Sequence, residues 1–308
     1  MISIIVTSYD DSRIESIKKL LDSISHQSLD DWELLYVVER NYSLYERIAS
    51  IFRSKKHTGQ AILANERLGL AASRNLGVEI AKGSLIGFVD DDIVLDRRWC
   101  EAIRDGFDNL KDVVGATGPA FPLWSSVPIS WLPLELDWLI GCTRWIDLTA
   151  PARVTNVWGM NMCFRKTALQ VSGPFLKGSG MTSGQQSGEI GEDVEMSIRI
   201  TRSTGGRIYF LPRMKVYNHV SQYRMDMPYV LRRSLRVGSD RKIMKAVKHC
   251  NEDEFTEKNL LVSLFSNLIT MASIRQCRNV SELVKCVETL IVALFGLGFG
   301  FLIQSSYD

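Results

Sequence analysis

The chain has 308 residues, 45% of them hydrophobic and 23% charged, with a formal net charge of +2 at pH 7. Those values fit one large α/β domain with an appendage or two modest domains, exclude a disordered chain, and make no case for nucleic acid as a partner. The six cysteines, Cys100, Cys142, Cys163, Cys250, Cys277 and Cys286, include no C-x-x-C pair, so neither zinc nor a disulfide framework is expected and reduced thiols in a cytosolic setting are the simplest account.

Residues 2–7 form a β-branched apolar run, a strand that starts the chain with no basic segment and long apolar stretch before it, so no signal peptide is expected. Ser12-x-x-Glu15 then has the capping-box pattern, opening a helix with Ile14, Ile17, Leu21 and Ile24 at helical spacing. Residues 32–38 predict a second strand, 43–52 a second helix and 61–63 a short third strand; Ala72, Leu76 and Ile80 mark a further helix leading through Gly83. Residues 85–89 make a buried-strand run that ends in three consecutive carboxylates, Asp90, Asp91 and Asp92. Three like charges at a strand end repel one another unless a positive group neutralises them. A hard divalent cation does so and keeps positions free for substrate phosphates. A solvated acidic turn is the alternative.

Strands alternating with helices imply a largely parallel sheet, whose ligands sit at the carboxyl ends of the strands. Thr7 to Asp10, Glu39 and Asp90 to Asp92 all fall at such ends. Trp99, Ile103, Phe107 and Leu110 predict a helix and residues 113–117 a strand. The segment 119–151 is rich in Trp and Pro; its Trp124, Trp131, Trp138 and Trp145 suit core packing, a cover over a cleft, or an apolar acceptor surface. Residues 158–165 predict a strand, Gly173-Pro174-Phe175 a turn, and 177–191 a loop. Glu192 and Asp193 then occupy the first turn of a helix with Val194, Ile198 and Thr201 on one face, where the helix dipole alone favours acids.

Residues 208–211 and 215–220 are the last strand-like pieces, the second containing His219. Arg232, Arg233, Arg236, Arg241, Lys242, Lys245 and Lys248 crowd a helical region, followed by apolar stretches at 260–272 and 289–303. The last is uncharged but shorter than the roughly 20 residues a spanning helix needs. An interfacial helix beside a basic patch facing anionic lipid is expected, with a core hairpin or a dimer contact as the alternative.

Taken together and in this order, Thr7-x-Tyr9, Arg74-Asn75 before Gly77, Asp90-x-Asp92 and the later Gly191-Glu192-Asp193 resemble the family 2 glycosyltransferases. Within that family the tryptophan-rich middle and the Tyr-Asn-His at 217–219 look most like enzymes acting on polyprenyl- or dolichyl-phosphate-linked sugars. The resemblance implies an α/β GT-A fold over residues 1–225, Rossmann-like, with a mostly parallel central sheet flanked by helices. A basic and apolar helical, membrane-associating region, 226–308, would follow it.

By the same resemblance Asp92 is the ligand of Mg²⁺ or Mn²⁺, Asp90 faces the ribose with Asp91 adjacent, and Thr7, Tyr9 and Glu39 line the nucleobase pocket. Glu39 departs from the family's usual Asp there. Arg74 falls near the diphosphate, Asp193 at the catalytic base, and Glu192 orients the acceptor or caps its helix. His219 completes the metal shell or is structural, and Arg199 pairs with Glu195 or contacts phosphate. The implied activity is inverting transfer from a nucleoside diphosphate sugar, UDP-sugar favoured, to a lipid-linked acceptor at the cytoplasmic membrane face, with oligomeric state open. Rivals are an exopolysaccharide or cell-surface glycan transferase and a non-catalytic nucleotide-sugar-binding membrane module. A nucleotidyltransferase would want a Gly-rich loop after the first strand, which Thr7-Ser8-Tyr9-Asp10-Asp11 is not.

Overall fold

The computed structural model describes residues 1–55, 59–66, 68–125, 129, 131–176, 181–182, 185–186, 191–247 and 277–303. They divide into two compact units, the first made of residues 1–119 and 148–217 and the second of 120–147 and 218–308. The first unit opens with β1 (Ile2–Ser8), α1 (Ile14–Ser25), β2 (Trp32–Glu39), α2 (Tyr42–Lys55), β3 (Gly59–Ala64), α3 (Leu70–Ile80) and β4 (Leu85–Val89). It continues through β5 (Ile93–Leu95), α4 (Trp99–Asn109) and β6 (Val113–Thr117). The chain leaves the unit with β7 (Ala120–Trp124) and returns as β8 (Ala152–Val154), β9 (Asn161–Arg165) and α5 (Lys166–Ser172). The two-residue strands β10 (Met181–Thr182) and β11 (Gln185–Gln186) follow, then α6 (Glu192–Thr204), β12 (Arg207–Phe210) and β13 (Val216–Val220), which runs on into the second unit.

Eight of these strands form one mixed sheet in the order β3-β2-β1-β4-β9-β6-β12-β8. The first four are parallel, β9 runs antiparallel to both β4 and β6, β12 is parallel to β6, and β8 closes the far edge antiparallel. The winding goes from β1 outward to β3 and then reverses to place β4 on the other side of β1. That reversal is the topological switch point, where two connections leave in opposite directions and open a crevice at the carboxyl ends of β1 and β4.

The apolar runs become buried strands because helices cover the sheet: β4 is buried throughout, as is all of β2 beyond Trp32. Helix α1 buries Ile17, Leu20, Leu21 and Ile24, one turn apart in pairs, which is the spacing that puts four side chains on one face. The capping box expected at Ser12 and Glu15 does not form. Asp10 captures both the Ser12 amide (2.9 Å) and the Ser12 hydroxyl (2.7 Å), a short Asp11–Arg13 3₁₀ turn precedes α1, and Glu15 accepts from Lys18 instead. The strand expected from Trp158 begins only at Asn161, because Gly159 and Met160 make a turn closed by a single bridge between Trp158 and Asn161. Arg199 pairs in bidentate fashion with Glu195 one turn earlier and also donates to the carbonyls of Ser172, Gly173 and Pro174, capping the end of α5. Among the described residues Cys100, Cys142, Cys163, Cys277 and Cys286 are thiols that form no disulfide.

In the second unit the Trp-rich segment supplies a core. Trp131, Leu132, Leu136, Leu139 and Ile140 cluster with Val230, Leu290 and Ala293, and Trp124, Trp138 and Trp145 pack partly buried against them. The Leu134–Ile140 3₁₀ helix is held from below by Asp137, fully buried, which takes a bidentate pair from Arg144 at 2.5 and 2.7 Å. Asn218 and Arg224 donate to the carbonyls of Ile140 and Gly141 that this helix leaves unpaired.

The basic region becomes α7 (Met227–Val247), which contains Arg232, Arg233, Arg236, Arg241, Lys242 and Lys245, and the last apolar stretch lies in α8 (Val280–Ile303). Residues 280–302 are long and apolar enough to cross a membrane by length and composition. Lys248 and the apolar stretch expected at 260–272 lie outside the described residues, as does most of the 177–191 loop.

Candidate active site

Three chain segments meet at the switch point. The first is the end of β1. Ser8, buried, donates its hydroxyl to Asp91 Oδ2 at 2.5 Å and stands 2.8 Å from the Tyr36 hydroxyl. Arg13 donates to the other Asp91 oxygen at 2.8 Å and lies 3.6 Å from Asp92 Oδ2. The middle aspartate of the three is therefore turned inward and tied down, while Asp90 and Asp92 keep part of their surface open. Burial pushes the Asp91 carboxyl upward against the pull of Arg13. Arg13 and Tyr36 escaped sequence reading and Ser8 entered it only as part of the strand-end cluster, since nothing local in the chain announces that the three will converge on one carboxylate.

Arg74, from the first turns of α3, is the centre of the second group. Only 3% of it is exposed, and its Nη1 donates to Glu192 Oε1 at 2.7 Å. Its Nη2 reaches the Gly159 carbonyl at 3.0 Å and Asp90 Oδ1 at 3.4 Å, and the guanidinium lies over the rings of Phe88 and Phe175, 5.9 Å from each centroid. Asn75 fixes that ceiling, exchanging hydrogen bonds with the Phe175 backbone at 2.8 Å in both directions.

The third segment is the first turn of α6. Asp193 accepts from the Gly159 amide at 2.8 Å and from the Val194 amide at 2.9 Å, so its orientation is set by backbone on both oxygens. These groups meet closely around Gly159: a Cβ there would stand 3.3 Å from Asp193, 3.4 Å from Arg74 and 3.4 Å from Glu192, a tight fit that the side chains would have to adjust to admit. Its place is fixed by the register that puts Val89 opposite Asn161, and by Asn161 itself. That fully buried amide accepts from the Trp99 indole and donates to the Met214 carbonyl, both at 2.8 Å.

One guanidinium thus faces three carboxylates. Burial raises the Asp90 carboxyl to about 7; Arg74 opposes the shift, and the charges of Asp92, Asp91 and Glu192 add to it. Asp90 is densely surrounded by protein and yet 43% of its side chain remains open, as befits a group at the floor of a crevice. Asp193 is pushed up as well, by burial first and then by Glu192 beside it. This excess of negative charge is what an added cation, or the proton of a bound hydroxyl, would relieve.

The remaining expected residues lie around this centre or apart from it. Thr7 and Tyr9 sit at the end of β1, Tyr9 exposed. Glu39 is buried at the end of β2 and accepts from the Gly69 amide at 2.9 Å, at the head of α3. His219 belongs to the second unit, where its Nδ1 stands 3.4 Å from the Ser125 hydroxyl. Among the described residues no three His, Cys, Asp or Glu side chains are gathered as a ready-made metal cage.

A mixed sheet with acidic groups at its switch point and a second acid on an opposing helix defines the GT-A class, and solved structures agree. The mannosyltransferase PcManGT of Pyrobaculum calidifontis, in complex with GDP-Man and Mn2+, superimposes with a TM-score of 0.58 at 14% identity, covering 96% of this chain and 87% of that one. GalNAc-T7 with UDP, GalNAc and Mn2+ gives 0.56 at 14% identity over 77% of this chain and 47% of its own. The model of glycosyl transferase family 2 matches residues 3–171, and the chain belongs to that family. A glucosyl-dolichyl phosphate glucuronosyltransferase of Haloferax volcanii is 23% identical over 306 residues, 98% of this chain and 96% of the relative.

Proposed function

We propose that this glycosyltransferase moves a sugar, with inversion, from a nucleoside diphosphate sugar to a lipid-linked sugar acceptor of the polyprenyl or dolichyl phosphate class at the cytoplasmic membrane face. A UDP-sugar is the favoured donor. The observation that carries the reading is the convergence of Arg74, Asp90, Glu192 and Asp193 around Gly159 at the switch point. The near full-length likeness to a dolichyl phosphate glucuronosyltransferase supports the acceptor class.

In this reading Asp193 takes the proton from the attacking hydroxyl of the acceptor. The hydroxyl oxygen bonds to the anomeric carbon while the bond from that carbon to the diphosphate oxygen breaks, its electron pair leaving with the nucleoside diphosphate. Two backbone amides aim the Asp193 carboxylate, and burial raises its proton affinity, which favours its role as a base. Glu192 keeps Arg74 in place and Arg74 faces the donor diphosphate. Thr7, Tyr9 and Glu39 border the nucleobase, and Asp91 with Arg13 and Ser8 props the turn that presents Asp90 and Asp92.

The donor set fits a divalent cation of the Mg²⁺ or Mn²⁺ kind. Asp92, with Asp90 beside it, offers the one or two carboxylates such an ion takes when substrate phosphates supply the rest, and the raised Asp90 carboxyl marks uncompensated charge there. When bound, the cation would offset charge growing on the departing diphosphate. The test is a panel of nucleotide sugars, read by release of UDP or GDP, with a membrane lipid extract as acceptor. Donor binding without release for any pairing would refute the transferase reading.

A further inference from the structure

We infer that α8 is an in-plane membrane anchor, lying on an anionic bilayer with one face and on α7 with the other; this rests on the proposed membrane-linked acceptor. The helix is two-faced. Cys286, Leu290, Ala293 and Leu297 are buried against the second unit's core, while Ile291, Phe295 and Leu302 are 62%, 60% and 65% exposed. From Ile291 onward the exposed face has no charged residue, and Phe295 and Phe299 stack on it with centroids 5.5 Å apart.

Helix α7 decides against a spanning arrangement. The two helices pack so closely that Gly296 and Gly300 leave no room for a Cβ against Ser234 and Leu235, nor does Gly238 against Leu297 and Phe301. Ser239 adds a hydrogen bond to the Gly300 carbonyl at 3.2 Å. The most apolar turns of α8 are therefore flanked by the stretch of α7 that contains Arg232, Arg233 and Arg236. Crossing the bilayer would carry those guanidiniums into hydrocarbon. Lying in the interface lets the apolar face sink to the acyl boundary and leaves the arginines at headgroup level, where anionic lipid attracts them. The charge of that flank selects a lipid surface over a second copy of the chain, which would bring like charges together.

The experiment uses the full chain with an epitope tag after Asp308, added to preformed vesicles of phosphatidylcholine with or without phosphatidylglycerol. The protein is expected to float with the anionic vesicles, the tag to remain open to external protease, and Ile291→Glu/Phe295→Glu to lose flotation at least tenfold with thermal stability unchanged. Arg232→Ala should weaken binding to anionic vesicles about fivefold and to neutral ones little. A protease-protected tag would mean a spanning helix. Dimers that Phe295→Glu dissociates, without vesicle binding, would mean a self-interface. Either result overturns the proposal. Nucleotide release with detergent-dispersed acceptor, retained by Ile291→Glu/Phe295→Glu, separates failure of the anchor from failure of the transferase reading.

Discussion

Arg74 and Glu192 are 118 residues apart in the chain and 2.7 Å apart in space. Both are buried, so neither can shed its charge into water if the other is removed. Arg74→Ala is expected to cost about 3–5 kcal/mol of stability by urea unfolding, because it strands the Glu192 carboxylate. Arg74→Leu/Glu192→Leu should regain most of that loss and still show no turnover, since on the proposed reading no guanidinium would remain to face the donor diphosphate. Arg74→Lys should not rescue activity: one ammonium cannot reach Glu192, Gly159 and Asp90 as the two guanidinium nitrogens do.

Asp193→Asn keeps an oxygen to accept from the Gly159 amide and gives up only the bond from the Val194 amide, so the fold and donor affinity should survive within about twofold while kcat falls by about 10²–10⁴, the contribution of a positioned base. Equilibrium binding of nucleotide and rate of nucleotide release, measured on the same sample, give the two numbers. Near-full turnover in this variant would remove Asp193 from the proton transfer.

The raised Asp90 carboxyl predicts a pH-dependent response to cation. With its folded value about 7 against an ordinary 3.8, the folded protein holds a proton that the unfolded chain releases; the stabilisation this gives is complete below the unfolded value and is lost as pH climbs through about 7. On the proposed reading a Mn²⁺ ion bound with UDP would take over the role of that proton. The rise in Tm on adding them should be larger at pH 8 than at pH 6, and binding near neutral pH should release protons, seen by calorimetry in buffers of different ionisation enthalpy. Asp92→Asn should remove the Mn²⁺-dependent part of the Tm increase.

Ser8 reaches both Asp91 and Tyr36 from one hydroxyl. Ser8→Ala is expected to lower stability by about 1–3 kcal/mol in urea titrations, because Asp91 is left with one partner fewer in a buried position. Tyr36→Phe combined with it should cost less than the sum of the two, since the second change removes a group the first had already orphaned.

Much of the first unit was readable from the chain. Apolar runs of strand length alternating with helical stripes gave β1, β2, β4 and β6 within a residue or two of where they lie, and Asp90 to Asp92 at the end of β4 could be placed at a sheet edge from periodicity alone. The family was legible as well, because its motifs fall at strand ends and at a helix start, where local pattern and chemistry coincide. The false capping box at Ser12 shows the limit: the pattern was present, but Asp10 lay two residues nearer and took the same donors.

Sequence alone determined the alternation of the principal strands and helices of the first unit, the acids at the end of β4 and at the start of α6, and the glycosyltransferase family. Tertiary structure alone decided which of three adjacent aspartates is tied inward by Ser8 and Arg13, that Glu192 serves Arg74, and that Gly159 stands between Arg74 and Asp193. The reason is range: propensity and periodicity act over a turn or a strand. The Ser8 and Arg13 contacts depend on the parallel register of β1 against β4 and those of Gly159 on the antiparallel register of β9 against β4, pairings that join residues more than seventy positions apart and leave no trace in any segment read by itself.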